Sequence, residues 1–345
     1  SYRRLVCRLE PTLRQQLLAG IREGNIRHLN MLGRCFDKVA IEQAMGDIPD
    51  DDMRTSLENG RLGAVLNWML RNLGEKFLEQ TNDNGDTFAH WAALIGEKKV
   101  LCGLKEKLGE EFLKQTDKSG HTIAHKATLK GKEEAFLWMH ETLGLDFIKQ
   151  KSVHNVTIAN CAAQAGSLEL LRRIKDKLGL DFIKQKSVHN VTIAHSAAYG
   201  GKTEVLDWIK NVCGEEFLEE ITSNGNTIAH VAAQNGQMEV LKWIEKISGK
   251  KFLMQTNNND NTIAHVAAYA GKISALEWIK EICGEEFLKQ TDGNGNTIAH
   301  IAAQYGQKEV LDWIKNNLGE GFLKQVNNLE KTAHQILEEK KHNPS

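Results

Sequence analysis

The sequence predicts an all-α fold, a solenoid of stacked helix–turn–helix units with helical N- and C-terminal caps. Three ladders predict it, each stepping by 35 residues. Thr stands at 87, 122, 157, 192, 227, 262 and 297. Phe stands at 77, 112, 147, 182, 217, 252, 287 and 322, and Gly at 96, 131, 166, 201, 236, 271 and 306. A fixed period of this length marks an array in which each unit packs mainly on its neighbours. It displaces the two-domain expectation that 345 residues raise at about 150 residues per domain.

The elements follow in order. Residues 1–50 read as helical but off-pattern, an N-terminal helical cap or the edge of another domain. Thr12-Leu13-Arg14-Gln15 fits a capping box and predicts a helix start there. Leu13, Leu17, Leu18 and Ile21 then form an apolar stripe that Gly24-Asn25 interrupts. The array spans 51–343: a degenerate first repeat at 51–82, seven full repeats at 83–327 and a cap at 328–343. Asp50-Asp51-Asp52 is expected to supply the N-cap of the degenerate repeat, whose second helix holds Val65, Leu66, Trp68 and Met69.

The last full copy illustrates the unit. Asn294-Gly295 is a turn dipeptide, and Thr297 suits a helix N-cap. A short helix runs to Gly306, where positive φ lets the chain turn. Val310, Leu311, Trp313 and Ile314 form the apolar face of a second helix that Gly319 ends. Phe322-Leu323 predicts a further one-turn helix that buries this pair. Thr332-Ala333-His334 starts a last helix one residue short, and Glu338-Glu339-Lys340-Lys341 suits a solvent-facing cap.

Thr227-Ile228-Ala229-His230-Val231-Ala232-Ala233, with six sister copies and the Gly and Val/Leu-rich stretch behind each, resembles the ankyrin repeat. The resemblance covers about residues 51–343. The copies depart from that family where Ile (Phe88 in the first) replaces its Pro, and where the unit has 35 residues against about 33. The excess falls in the Gly-Glu-Glu-Phe-Leu-Lys-Gln segment. The resemblance implies a structural hydrogen-bonding role for the repeated His at 90, 125, 195, 230, 265, 300 and 334, with Asn160 in the odd copy. It also implies protein partners that contact the turn tips and the first helix just before its Gly.

Chemistry-bearing patterns are sparse. A metal reading of the His ladder fails on spacing, because equivalent positions in stacked helices lie about 8–10 Å apart. His121 and His125 have the i, i+4 spacing of a metal pair but no evident third ligand. The cysteines at 7, 35, 102, 161, 213 and 283 form no Cys-x-x-Cys pair and read as reduced thiols, with Cys7 and Cys35 outside the repeats. The Trp ladder at 138, 208, 243, 278 and 313 reads as core between repeats. No phosphate loop, Ser-His-Asp order or paired-carboxylate motif is present, so neither an enzymatic activity nor a cofactor is expected.

A net charge of -1 argues against general nucleic-acid binding. It conceals an acidic stretch at 36–60, with seven acidic and two basic residues, and a basic one at 143–190, with eight basic and four acidic. No apolar run reaches the roughly 18 residues of a membrane span. With no signal peptide at Ser1-Tyr2-Arg3-Arg4, a cytoplasmic monomer is expected. The absent initiator Met points to a processed or excised chain.

Most turns are polar, but Val153-His154-Asn155-Val156 and Val188-His189-Asn190-Val191 are not. Leu143–Ala159 and Leu178–Ala194 are identical, so duplication explains the match between the two copies but not their apolar tips. The expected function is non-catalytic protein binding through central turn tips and first helices. Its core is Val153, His154, Val156, Val188, His189, Val191 and Tyr199, extended by Gln234, Tyr269 and Tyr305. The alternative is the targeting arm of a larger enzyme, or a secreted effector of an intracellular bacterium working in host cytosol, with its catalytic domain outside this chain. Near-identical, Pro-poor tandem copies are similar to those of such effectors.

Overall fold

A computed structural model describes the backbone of residues 2–47 and 50–342, and the side chains of 12–47 and 50–340. The described residues are helical throughout, with isolated β-bridges at Thr81–Thr87 and Val326–Thr332 and no strand. The chain divides into two units, Ser1–Ala162 and Ala163–Ser345.

In the first unit, a helix at Tyr2–Glu23 packs on Ile26–Cys35, Lys38–Met45 and Asp50–Glu58. It runs unbroken through Thr12, so the capping box expected there does not form. Leu13, Leu17 and Ile21 are buried along its stripe, and Arg22 Nε lies 2.6 Å from Asp52 Oδ1. Asp50, Asp51 and Asp52 occupy the first turn of Asp50–Glu58 rather than preceding it. Carboxylates there still favour the positive end of the helix dipole. Leu62–Asn72 follows, burying Val65, Leu66, Trp68 and Met69. Two copies of the 35-residue pattern then pack side by side, with Phe88–Ile95 against Ile123–Leu129 and Lys98–Leu108 against Glu133–Ile148.

The second unit stacks first helix on first helix: Ile193–Tyr199, Ile228–Asn235, Ile263–Tyr269, Ile298–Tyr305 and Ala333–His342. The second helices Leu168–Leu178, Thr203–Cys213, Met238–Leu253, Ile273–Cys283 and Lys308–Leu318 stack likewise. The small pairs explain the close approach of the first helices: Ala232, Ala233, Ala267, Ala268, Ala302 and Ala303 are all fully buried. Leu206, Ile209, Leu241, Ile244, Leu276 and Ile279 fill the layer beneath.

The expected one-turn helix forms after each second helix, as at Glu285–Leu288, and buries its Phe and, except for half-buried Leu323, the Leu or Ile that follows. In Met238–Leu253 the two run together across Gly249, whose φ of 74° and ψ of 171° lie in a region essentially closed to side chains. At the other turn, Asn155 and Asn190 take φ of 57° and 55° where most sister copies have Gly, as their sequence context predicts. The Trp ladder departs from expectation. Trp313 is buried, but Trp138, Trp208, Trp243 and Trp278 are half-buried, and Trp243 Nε1 donates to Asp207 Oδ1 at 2.8 Å. An indole holds a polar edge that is best kept near a partner or water.

Asn190 provides a test of the turn. Asn190→Ala should lower stability by about 1 kcal/mol, because alanine in the left-handed region lacks the local polar compensation of Asn. Asn190→Gly should stay within about 0.5 kcal/mol of the parent. The midpoint of urea unfolding measures both.

Candidate functional site

Each first helix begins with a two-way cap. Thr262 N–H donates to His265 Nδ1 at 3.2 Å, while His265 N–H donates to Thr262 Oγ1 at 3.4 Å. Thr262 Oγ1 also lies 2.9 Å from Nδ1. A backbone N–H can only donate, so Nδ1 carries a lone pair and the proton sits on Nε2. Nε2–H then donates to the carbonyl of Asn296, 31 residues on, at 3.1 Å. The same pattern ties His195 to Asn226, His230 to Asn261 and His300 to Lys331 in the second unit. It ties His90 to His121 and His125 to Val156 in the first. Asn160 imitates Nδ1, its Oδ1 accepting from Thr157 N and Oγ1 at 3.1 and 2.9 Å. His334 is a correction. With one residue missing before it, it falls at the exposed second helical position, and Gln335 Oε1 takes the Thr332 N–H at 2.8 Å.

Burial pushes His125, His195 and His230 down to about 4 and lowers His90, His265 and His300. The ladder is therefore neutral and structural. Its nitrogens are committed, which also removes His125 as a metal ligand beside His121. No trio of His, Cys, Asp or Glu that could hold a metal ion occurs among the described residues.

The turns above these caps share a feature that the sequence reading missed. A short polar side chain five residues before each Thr accepts the backbone N–H groups of its own turn. Asn257 Oδ1 takes those of Asn259 and Asn261 at 3.0 and 3.1 Å, and Asp292 Oδ1 those of Asn294 and Asn296 at 2.9 and 2.8 Å. The signal was present as a run of Asn, Asp, Ser or Thr at 82, 117, 152, 187, 222, 257, 292 and 327. Consecutive tips also join through backbone, as Gly293 N donates to Asn259 O at 3.0 Å.

With the backbone held alike, the copies differ in what they display. In the first unit, Lys126 Nζ lies 2.7 Å from Asp86 Oδ1 and 2.9 Å from Asp117 Oδ2. Burial alone would raise Asp117, but the Lys126 ammonium and the His121 N–H outweigh it and hold the carboxyl at about 2. This unit also carries the turn of Val153, 64% exposed, His154, exposed, and Val156, half-buried. The turn of the second unit repeats this with Val188, 49% exposed, His189, exposed, and Val191, half-buried.

In the second unit the ends of the first helices display Tyr and Gln. Tyr199, Gln234, Tyr269 and Gln304 occupy one repeat position, so Tyr and Gln alternate along the stack. Tyr199 and Tyr269 are 50% and 39% exposed. Tyr305, one position later, is 45% exposed and meets Tyr269 edge-to-face with centroids 4.3 Å apart. Gln237 Nε2 donates to Tyr199 O and Gln307 Nε2 to Tyr269 O, both at 2.9 Å, which pins these helix ends through their backbone. A groove of ≈ 440 Å³ lies here, bounded by Gln234, Tyr269, Gln304, Tyr305 and the turn asparagines, over Val266 and Ile301.

Among the cysteines, Cys35 is exposed and Cys102 half-buried, while Cys161, Cys213 and Cys283 are buried. Burial pushes the Cys161 thiol up to about 12, which makes it unreactive. The Cys7 side chain lies outside the described residues. Among the described residues, no helix is long and apolar enough to cross a membrane.

No protein-family model matches the chain, and no curated protein matches it.

Acid tests the histidine assignment. Above pH 6.5 both folded and unfolded histidines are neutral, and the ladder contributes in full. As pH falls from 6.5 towards 4, the unfolded chain takes up protons that the buried rings refuse, so stability falls across this window. Asp117 loses its contribution lower still, as pH falls from 3.8 towards 2. The midpoint of urea unfolding should drop between pH 7 and 4.5. In the His195→Asn/His230→Asn variant, which copies Asn160, the drop should be shallower.

Proposed function

We propose that the chain is an ankyrin-repeat array that binds another protein, without catalysis, through its turn tips and the exposed ends of its first helices. One observation carries this reading: near the ends of otherwise buried first helices, large side chains that differ from copy to copy reach the surface. Packing alone explains neither Tyr199, Tyr269 and Tyr305 at the surface nor Val153 and Val188 at exposed tips. Exposed aromatic and aliphatic groups on a rigid frame are what a protein interface uses as anchors. No Lys or Arg lines the groove of the second unit itself, and Lys340 reaches its edge over the Tyr305 ring.

The tips belong to this reading as the anchors Val153 and Val188, with His154 and His189 beside them. The half-buried Val156 and Val191 support the turns. The test is affinity capture from cytosol with the parent chain and with Val153→Asp/Val188→Asp. Partner recovery should fall at least about tenfold, the loss of one buried anchor, with the thermal midpoint unchanged. Equal recovery by the two chains would refute the tips as a binding site.

A further inference from the structure

The alternation of Tyr199, Gln234, Tyr269 and Gln304 has a geometric consequence for what could lie along it. Stacked helices are spaced about 8–10 Å apart, so each copy offers one such side chain per step of that length. A polyproline II chain advances about 3.1 Å per residue with three residues per turn, or about 9.3 Å before the same face returns. A β-strand alternates its faces and turns every third residue away. An α-helix at 1.5 Å per residue needs about six residues for that distance, which is not a whole number of turns. Of the three regular backbones, polyproline II alone stays in phase with the row.

The chemistry of the row fits the same backbone. Polyproline II makes no internal hydrogen bonds, so its carbonyls need donors. Among the described residues, nothing bonds the carboxamides of Gln234 and Gln304 or the hydroxyls of Tyr199, Tyr269 and Tyr305, and each of these groups can donate. Exposed Tyr rings offer flat apolar plates to prolyl or other compact side chains. The one carboxylate bounding the groove, Asp292, is buried and engaged by two backbone N–H groups and Asn296 Nδ2 at 3.1 Å. His265 there is neutral, its pKa lowered by burial. The residues bounding the groove thus offer no free charge, and a cation at its end, Lys340, is engaged by Gln304 O at 2.9 Å and lies over the Tyr305 ring at 6.0 Å.

We propose that this face of the second unit binds an uncharged segment of a partner protein in the polyproline II conformation. Every third residue of the segment faces the array, compact side chains lie on Tyr199 and Tyr269, and carbonyls accept from Gln234 and Gln304. The inference rests on the protein-binding reading above and names the class of ligand.

The test is fluorescence anisotropy of the full chain with labelled uncharged 12-residue peptides. One has Pro at every third position. A second is its scramble, and a third is an uncharged helical peptide. A neutral oligosaccharide serves as competitor. The periodic peptide should bind at least about tenfold tighter than the scramble or the helix. Its affinity should change by less than about twofold between 50 and 500 mM salt, because a neutral site has little to screen. Tyr199→Ser/Tyr269→Ser should weaken it about tenfold or more, Tyr199→Phe/Tyr269→Phe should weaken it less, and binding should shift the side-chain amide resonances of Gln234 and Gln304. Equal binding of the scramble, tighter binding of the helix, displacement by the oligosaccharide, steep salt dependence, or indifference to the Tyr→Ser pair would each overturn the proposal. If Val188-dependent capture from cytosol persists while the peptide series fails, protein binding stands and this ligand class falls. If both fail, the protein-binding reading falls with it.

Discussion

A neutral imidazole joins one copy to the next, and the rest of the structure depends on it. Nδ1 closes the N-terminus of its own helix, while Nε2–H reaches the carbonyl just before the next copy's Thr, as from His230 to Asn261 at 3.0 Å. One side chain thus satisfies an orphan helix donor and an otherwise bare turn carbonyl, both of which would be costly if left buried and unpaired. It also fixes the distance and register between copies, since the ring has one tautomer and two directions of bonding. The Ala pairs and the Phe-Leu anchors fill space around that link, but they are apolar and do not by themselves set a register.

The turns are held by a second device, a short acceptor five residues before each Thr combined with a residue at positive φ three places later. Either Gly or Asn satisfies the φ requirement, and even Asp260 and Glu330 adopt it, at 57° and 56°. The remaining turn positions are less constrained, although some still tie turns together, as where Asn257 Nδ2 donates to Asn226 Oδ1 at 2.8 Å. Side chains as unlike as Asn and Val sit at corresponding places on one backbone course. This separation of frame from display allows the two units to differ in chemistry. The first presents ion pairs around Lys126. The second presents carboxamides and tyrosines at the ends of its first helices.

Much of this was legible in the sequence. The 35-residue period placed the helices, the caps, the one-turn Phe-Leu segment and the left-handed asparagines, because each follows from local rules: a Thr at a helix start, a Gly where φ is positive, an apolar stripe at helical spacing. Local rules misled at the edges. Thr12 looked like a cap but lies within a continuous helix, and His334 looked like the eighth member of a ladder although a one-residue deletion had passed its role to Gln335. A helical position shifts by about 100° per residue, so a single deletion suffices. Tyr199, Tyr269, Tyr305 and Gln234 were also recognisable from their place before the Gly, while Gln304, the counterpart of Gln234, became visible only where the structure set it beside Tyr305.

The sequence by itself determined the period, the element order and the residues on which each copy is built, since these repeat and repetition needs no coordinates to be seen. The tertiary structure decided which side chains face water. It buried Val156 and Val191 more deeply than Val153 and Val188, left most of the tryptophans at the margin of the core, and assigned each histidine proton to Nε2. Exposure and tautomer depend on neighbours about 35 residues away, where a carbonyl or a packed Ala completes what the local sequence only begins.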